Sequence, residues 1–241
     1  MSTYNTTLEA KNEIAEGTMA FQLHKPKGFD FAPGQAVDLV LSGQATADND
    51  QNVRHAFSIV SAPFEDQLVI ATRMRDSVFR RALKSLAVCS PVMIDGPFGS
   101  LVLHNDRSRA AVFIAGGIGI TPFISMLRQA HHVQSPQRLI LLYSSRRPEE
   151  AAFLVDLQHL EEQNKHFRLV ATMTDMHLSS RTWLNQTGFI NADLLTRVVG
   201  DLPKPVFYVV GPPGMVEAMR HTLQLLGIDK DNVRSEAFYG Y

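Results

Sequence analysis

Apolar residues over the first hundred positions come in short runs with partial alternation. Met19–Leu23 (MAFQL), Ala36–Leu41 (AVDLVL), Ala56–Ser61 (AFSIVS) and Leu68–Met74 (LVIATRM) have the length and spacing of strands. Pro26–Gly28, Pro33–Gly34 and Pro63 separate them with turn residues. One run has a different period. In SVFRRALKSL, Ser77–Leu86, the residues Val78, Phe79, Ala82, Leu83 and Leu86 share a helical face, and Ser77 stands where an N-cap belongs. A strand at Pro91–Asp95 follows, then the loop GPFGS, Gly96–Ser100. Short strands at this spacing predict a small antiparallel barrel.

From about residue 110 the pattern lengthens. Expected strands at Ala111–Ala115, Leu139–Tyr143, Phe167–Met173, Val206–Val210 and near Val233 alternate with expected helices. Those helices cover Pro122–His132, Pro148–Asn164, Ala192–Val199 and Gly214–Leu226. Such alternation predicts a parallel sheet with helices on both faces. The polar stretch His104–Arg109 divides the two patterns. The expected fold class is therefore two domains: an N-terminal antiparallel β-barrel at residues 1–105, followed by an α/β parallel-sheet nucleotide-binding domain at 106–241.

Composition narrows the field. The 241 residues are 45% hydrophobic and 20% charged, an ordinary globular balance, and the formal net charge of −1 argues against a nucleic-acid partner. The single cysteine, Cys89, excludes a disulfide framework and a four-cysteine iron–sulfur centre; with no motif around it, it reads as a barrel-packing residue. None of the nine histidines has zinc-binding spacing, so no metal site is expected. The N-terminus MSTYNTTLEAKNEIAEG lacks an apolar signal core, and no run approaches the roughly 20 apolar residues that span a bilayer. A cytoplasmic protein without a membrane span is the expectation.

Candidate chemistry concentrates in the second half. In AVFIAGGIGITPF, Gly116, Gly117 and Gly119 lie between strand and helix, where glycine permits a tight turn and close approach of a pyrophosphate. Thr121 can cap the helix and Pro122 suits its first turn, leaving N–H groups for an anion. The spacing is not the GxGxxG of a dinucleotide fingerprint, and a turn that merely lets strand and helix pack accounts for the same glycines. The second strand ends in LLYSSRRPEE. Ser145, Arg146 and Arg147 stand where an NAD site would carry an acid, which favours NADPH with NADH as the alternative. A solvated basic loop before an acidic first turn, Glu149 and Glu150, explains these residues without a ligand. A further loop, GPPGM, places Gly211, Pro212 and Met215 at the carboxyl end of the fourth strand, the edge where open α/β sheets bind ligands.

Four motifs stand in one order: FAPGQ (Phe31–Gln35), HAFSIVS (His55–Ser61), AGGIGITPF and GPPGM, with EAFYGY at the end. From about Met19 onward the chain resembles the ferredoxin–NADP reductase family. The resemblance implies an FAD-binding barrel joined to an NADP-binding domain, with a flavin motif of Arg-x-Tyr/Phe-Ser. Phe57 then packs on the isoalloxazine and Ser58 lies near flavin N5. The arginine position of the motif is filled by His55, followed by Ala56, and Arg54 comes one residue early. Either His55 faces the phosphate, or a bulge re-aims Arg54, or Arg73 or Arg75 supplies the charge. The resemblance also assigns flavin contacts to Ile70, Thr72 and Arg73, and a pyrophosphate-facing helix start to Ser77. Val210 occupies a position near the nicotinamide that is cysteine in some members. Glu236 and Phe238 resemble the acidic and aromatic residues that approach the isoalloxazine, with Tyr241 a second aromatic candidate.

The implied activity is that of a flavin-dependent NAD(P)H oxidoreductase. Electrons pass from NADPH through FAD to a separate acceptor, a small electron-carrier protein such as ferredoxin or flavodoxin, or an oxygenase component. Ser58 and Glu236 are the catalytic candidates, adjusting polarity around N5. Arg80, Arg81 and Lys84 form a docking face or simply a solvated helix face. Two other readings remain open: a flavin reductase that uses flavin as a diffusible substrate, and an electron-transfer subunit of a larger complex.

Overall fold

The computed structural model describes residues 2–42, 52–200 and 202–239. Its first strand is one that hydrophobic patterning does not show. β1 (Ser2–Ala15) is followed by β2 (Thr18–His24), β3 (Ala36–Ser42), β4 (Asn52–Ser58), β5 (Gln67–Arg73), α1 (Val78–Ser85) and β6 (Pro91–Phe98). In β1 only Thr6 and Leu8 are buried. The strand is held by backbone ladders to β2 on one side and β6 on the other, so its stability does not need an alternating apolar face. The six strands run antiparallel in the order β4-β3-β6-β1-β2-β5. The ends of the sheet meet where Ile59 bridges Ile70 and the Val60 N–H donates to the Val69 carbonyl at 2.8 Å. Leu8, Phe21, Leu39, Ile59, Ile70 and Ile94 fill the interior.

Helix α1 closes onto this core with Phe79, Ala82 and Leu83; Val78, expected on the same face, is half exposed. Ser77 caps it, accepting from the Arg80 N–H at 3.2 Å. At the other end Lys11 Nζ donates to the carbonyls of Lys84 and Leu86 at 2.6 and 2.8 Å, placing a cation on the negative pole of the helix. Cys89 corrects the sequence reading. It is exposed, not packed in the barrel, and sits in the turn before β6 with φ 69°. Its contribution is backbone: its N–H donates to the Leu8 carbonyl at 2.7 Å. The FAPGQ turn is structural too. Gly34 has φ +98°, and a Cβ there would lie 2.2 Å from both the Leu101 carbonyl oxygen and Met126 Cε.

The second sheet contains β7 (Ala111–Gly116), β8 (Leu139–Ser145), β9 (Phe167–Met173), β10 (Gln186–Thr187), β11 (Val206–Gly211) and β12 (Val233–Ala237). All pairs are parallel, in the order β10-β9-β8-β7-β11-β12. Every residue of β7 and β11 is buried, which explains their unbroken apolar runs. The crossovers are α2 (Thr121–His132), α3 (Leu154–Gln163), α4 (Ala192–Val199) and α5 (Pro213–Leu225). The single helix expected over Pro148–Asn164 is split. A 3₁₀ turn at Pro148–Glu150 ends, Phe153 takes φ 59°, and α3 begins only at Leu154.

The chain packs as two compact units. One comprises the residues up to Val102 together with Thr121–Gln129; the other comprises Leu103–Ile120 together with the residues from Ala130 on. Most of α2 therefore belongs with the barrel, where Ser125 Oγ donates to the Ser61 carbonyl at 2.7 Å and Arg128 pairs with Glu65 at 3.4 Å.

Within the second unit a buried polar knot ties the segment before β7 to β11. The His104 backbone N–H and ring Nδ1 both lie 2.8 Å from the hydroxyl of fully buried Tyr208. His104 Nε2 is 2.8 Å from Gln137 Nε2 and 3.2 Å from the Arg109 carbonyl. Burial pushes the His104 pKa below its ordinary 6.5; the Arg109 carbonyl and Asp106 act against this, and the charges of Arg109 and Arg234 add to it. A histidine lowered on folding binds its proton more readily when unfolded. Its contribution is therefore complete above the ordinary value and is lost as pH falls through the folded value. We expect the urea midpoint to drop between about pH 7.5 and about pH 5, and to drop less in His104→Asn. Equal drops in the two proteins would show that His104 is not the titrating group.

Candidate functional site

β4 and β5 are the two ends of the first sheet, and beyond the Ile59–Ile70 bridge no further pairing joins them among the described residues. This leaves the outer edges of the two strands without a ladder partner, near Phe57 and Ser58 on one side and Thr72 on the other, with Arg73 following Thr72. Ser77, at the start of α1, follows four residues after Arg73. The β3–β4 ladder is regular from Ala36↔Ser58 to Ser42↔Asn52. No bulge re-aims Arg54. It shares a face with Ala56 and Ser58, and its guanidinium pairs closely with Asp95 and at 3.4 Å with Asp38. Thr3 Oγ1 donates to the other oxygen of Asp95 at 2.5 Å. The arginine nearest the motif is thus engaged by two carboxylates of neighbouring strands.

His55 points the other way, with Phe57. The two rings stack at 4.9 Å and 26°, and Phe79 lies 5.4 Å from His55 and 5.8 Å from Phe57. Phe57 is only 6% exposed and belongs to the barrel core, as does Ile70, so His55 is the outermost ring of the stack. Ser58 is nearly buried, and its hydroxyl has no hydrogen-bond partner among the described residues. Thr72 Oγ1 receives Arg80 Nε at 3.4 Å, which draws Arg80 inward; Arg81 pairs closely with Asp76, and Lys84 is exposed. Strand edges without a ladder partner, the Ser58 hydroxyl and a helix N-terminus are a donor and acceptor set that fits a flat ring system carrying a phosphate.

The glycines of the second unit divide by role. A Cβ on Gly119 would lie 2.5 Å from the Val210 carbonyl oxygen and 2.9 Å from Gly211 Cα. One on Gly116 would lie 2.2 Å from Met215 Sδ and 3.0 Å from Pro212 Cδ, and one on Gly211 would lie 3.1 Å from Gly116 Cα. These three glycines let the β7 and β11 loops close on each other. In the loop after β7, Gly117 combines positive φ, +53°, with nothing within 4 Å of a Cβ position, so its backbone is the part of that loop open to an approaching anion. Thr121, which begins α2, is buried.

The two arginines after β8 also differ. Arg147 is mostly buried; its Nε donates to Glu150 Oε1 at 2.8 Å and its Nη1 to the Leu178 carbonyl at 3.1 Å. Arg146 is half exposed, 3.3 Å from Asp175 and 3.9 Å from Glu150. Ser145 is buried, and its carbonyl accepts from the Thr174 N–H at 3.0 Å. Glu149 straps the 179–180 turn to the same loop, accepting from Ser179 Oγ at 3.0 Å and the Ser180 N–H at 2.8 Å. Desolvation opposes its ionisation, but its own backbone N–H and the Ser180 and Ser179 groups outweigh that and hold the carboxyl at about 2. Asp38, Asp95, Glu150 and Asp175 were not singled out from sequence as partners. Only Asp38 carried a signal, as an acid inside the apolar run AVDLVL.

Along β12, Glu236 pairs with Val210, and the Phe238 N–H donates to the Gly211 carbonyl at 2.9 Å, tying the tail to the GPPG loop. The Glu236 side chain reaches solvent, yet its carboxyl is desolvated enough to raise its pKa above the ordinary carboxylate value. Tyr241 lies outside the described residues. Among the described residues no group of three or more His, Cys, Asp or Glu is placed to hold a metal ion, and no helix is long and apolar enough to cross a membrane.

Residues 113–221 match the family model of the oxidoreductase NAD-binding domain. The glycine betaine monooxygenase reductase subunit of Pseudomonas aeruginosa is 25% identical over 224 residues, 92% of this chain and 60% of that protein. The chain thus spans about three fifths of the length of that curated relative. Among solved structures, the FAD/NAD-binding domain of Vibrio cholerae nitric oxide dioxygenase superposes with TM-score 0.82 at 19% identity, covering 97% of this chain and 98% of that one. A ferredoxin NADP+ reductase from Neisseria gonorrhoeae superposes with TM-score 0.79 at 21% identity, covering 98% of each chain. With an antiparallel sheet followed by a parallel sheet, the chain has the fold of these solved structures, and its residues 113–221 match the oxidoreductase NAD-binding domain.

Proposed function

We propose that the protein is a flavin-dependent NAD(P)H oxidoreductase that passes electrons to a separate acceptor, an oxygenase component or a ferredoxin-type carrier, in the cytoplasm, where NAD(P)H is supplied. The observation that carries this reading is the whole-length match to a two-unit fold whose Neisseria representative is described with bound FAD and NADP. The Pseudomonas relative, a monooxygenase reductase subunit, supports the choice of acceptor. A bound flavin would supply hydride acceptance from the nicotinamide and stepwise release of electrons. The chain's residues supply the setting. The edges of β4 and β5 orient the ring, and the Ser58 hydroxyl offers it a hydrogen bond. The start of α1 at Ser77 faces a phosphate, and the loop at Gly117 holds the nucleotide pyrophosphate. Glu236, whose pKa is raised by desolvation, keeps a proton to higher pH than an ordinary carboxyl.

The test is to purify the full chain, record its flavin spectrum, and mix it anaerobically with NADH and with NADPH. Bleaching of the yellow band, and turnover with ferricyanide or a ferredoxin, is the expected result. A colourless protein that stays inactive with added FAD overturns the proposal. A second reading, reduction of flavin as a diffusible substrate, is favoured by one observation: Arg54 is engaged by Asp38 and Asp95 instead of being free for a phosphate. It predicts colourless protein that reduces added riboflavin, FMN and FAD alike.

A further inference from the structure

The chain changes partners within three residues of Ser58. Ser58 is the last residue of β4 on the β3 ladder, opposite Ala36. The Ile59 N–H still donates to the Gln35 carbonyl at 2.9 Å, but Ile59 already bridges Ile70, and the Val60 N–H donates to the Val69 carbonyl. At Ser61 a side chain completes the crossing to β5: its hydroxyl accepts the Val69 N–H at 3.0 Å. The Ser61 carbonyl is turned to α2, where it accepts from Ser125 Oγ at 2.7 Å. Both serines are fully buried, so bulk water does not compete for this bond. Thr121, Ser125 and Arg128 share one face of α2, at spacings of four and three. Arg128 pairs with Glu65, and Lys25 Nζ donates to the Pro63 and Glu65 carbonyls at 2.6 and 3.2 Å, which pins the residues beyond Ser61. Met126 Cε of the same helix stands 2.2 Å from where a Gly34 Cβ would lie. The turn that leads into β3 and the segment that leaves β4 therefore both rest on α2, with the Ala36–Ser58 pair between them.

We propose that Ser125 is a positioning residue: by holding the Ser61 carbonyl, its hydroxyl fixes where β4 ends, and so where the Ser58 hydroxyl meets the flavin ring. This rests on the reading of the chain as a flavin-dependent NAD(P)H oxidoreductase and adds a residue that acts on the flavin through another. The hydroxyl is the part that matters. Without it the Ser61 carbonyl is left in a buried place with its donor removed, and the backbone shifts to find another. Ser61 stands three positions after Ser58, and the bonds between them run to two different strands, so a shift at Ser61 is not absorbed within one ladder. Hydride transfer is sensitive to such a shift, since a misplacement of about 1 Å can cost about a hundredfold in rate. In the sequence Ser125 is a single hydroxyl inside the apolar run FISML, and its partner lies 64 residues earlier.

Saturate the full-length protein with FAD, as wild type, Ser125→Ala, Ser125→Cys and Thr6→Ala. Record the flavin absorbance, the single-turnover rate of reduction by NADH and NADPH, and the urea midpoint. Thr6 is the control, a buried hydroxyl of β1 that donates to the His24 carbonyl in the same unit. Ser125→Ala should shift the flavin band and lower the saturated reduction rate by about tenfold or more, while the half-saturating nucleotide concentration moves by less than about twofold. Thr6→Ala should lower the urea midpoint alone. Ser125→Cys keeps a weak donor and should fall between wild type and alanine, and it carries the test where the alanine protein does not fold. A wild-type band and rate in Ser125→Ala, or in Ser125→Cys where only that variant folds, overturns the inference. So do flavin effects no larger than those of Thr6→Ala, or failure of both Ser125 variants to fold, which would make the bond purely structural. Wild type that neither binds FAD nor oxidises NAD(P)H with FAD added overturns the underlying reading instead.

Discussion

Gly119→Ala is expected to destabilise the second unit by at least about 3 kcal/mol and to abolish NAD(P)H binding. The added Cβ would meet the carbonyl carbon and oxygen of Val210 at 2.7 and 2.5 Å and Gly211 Cα at 2.9 Å. All three are backbone atoms of the β11 end, so no side-chain rotation can relieve the overlap. The β7 and β11 loops must separate, and with them the turn that presents Gly117. Gly117→Ala is the control. It has open space and only a left-handed φ of +53° to tolerate, a cost of about 1 kcal/mol. Gly116→Ala falls between, since its closest neighbour is the end of the flexible Met215 side chain. Urea unfolding together with a nucleotide titration separates the three variants. A Gly119→Ala protein that unfolds and binds like wild type would show that the loops do not need this approach.

Arg147→Ala is expected to cost about 3 kcal/mol, whereas Arg146→Ala costs less than about 1 kcal/mol. The difference follows from burial. Glu150 is 3% exposed and Arg147 18% exposed, so removing the guanidinium takes the close cationic partner from a buried carboxylate, while the exposed Leu178 carbonyl turns to water. Arg146, 3.9 Å from the same carboxylate, recovers part of the loss. Arg146 itself is half exposed, and its ion pair with Asp175 is screened by water. Denaturant melts of the two variants decide this. Equal losses would mean that the guanidiniums are interchangeable and that both arginines are candidates for ligand binding. The sequence assigned them the same role because adjacent arginines look alike until the loop from β9 is laid beside them.

Strand-length apolar runs, one helical-period run and the change of pattern near residue 110 were enough to foresee an antiparallel barrel followed by a parallel sheet. The period of apolar burial is a local property, and each run reports its own element. β1 escaped because it buries only Thr6 and Leu8 and is held by backbone ladders, which leave no mark on side-chain pattern. The helix expected from Pro148 was split because Glu149 and Glu150, good residues for a first turn, are spent on Ser179, Ser180 and Arg147. Cys89 read as apolar packing because its chemistry is apolar, but its place is a left-handed turn on the surface.

By itself the sequence determined the order of most elements, the motifs and the kind of group each could hold. Tertiary structure alone decided who partners whom. Arg54 is directed at Asp38 and Asp95 by the register of β3, β4 and β6. Gly116, Gly119 and Gly211 are made contact surfaces by two loops distant in the chain, and Gly117 is left open. Arg147 is made a brace and Arg146 a surface charge by a loop that follows the next strand. Each of these pairings depends on which atoms come within about 4 Å across strands distant in sequence. Local propensity fixes the strands, but the charge, space and free hydrogen-bonding groups at a site are differences between neighbours, and those neighbours are chosen by sheet register.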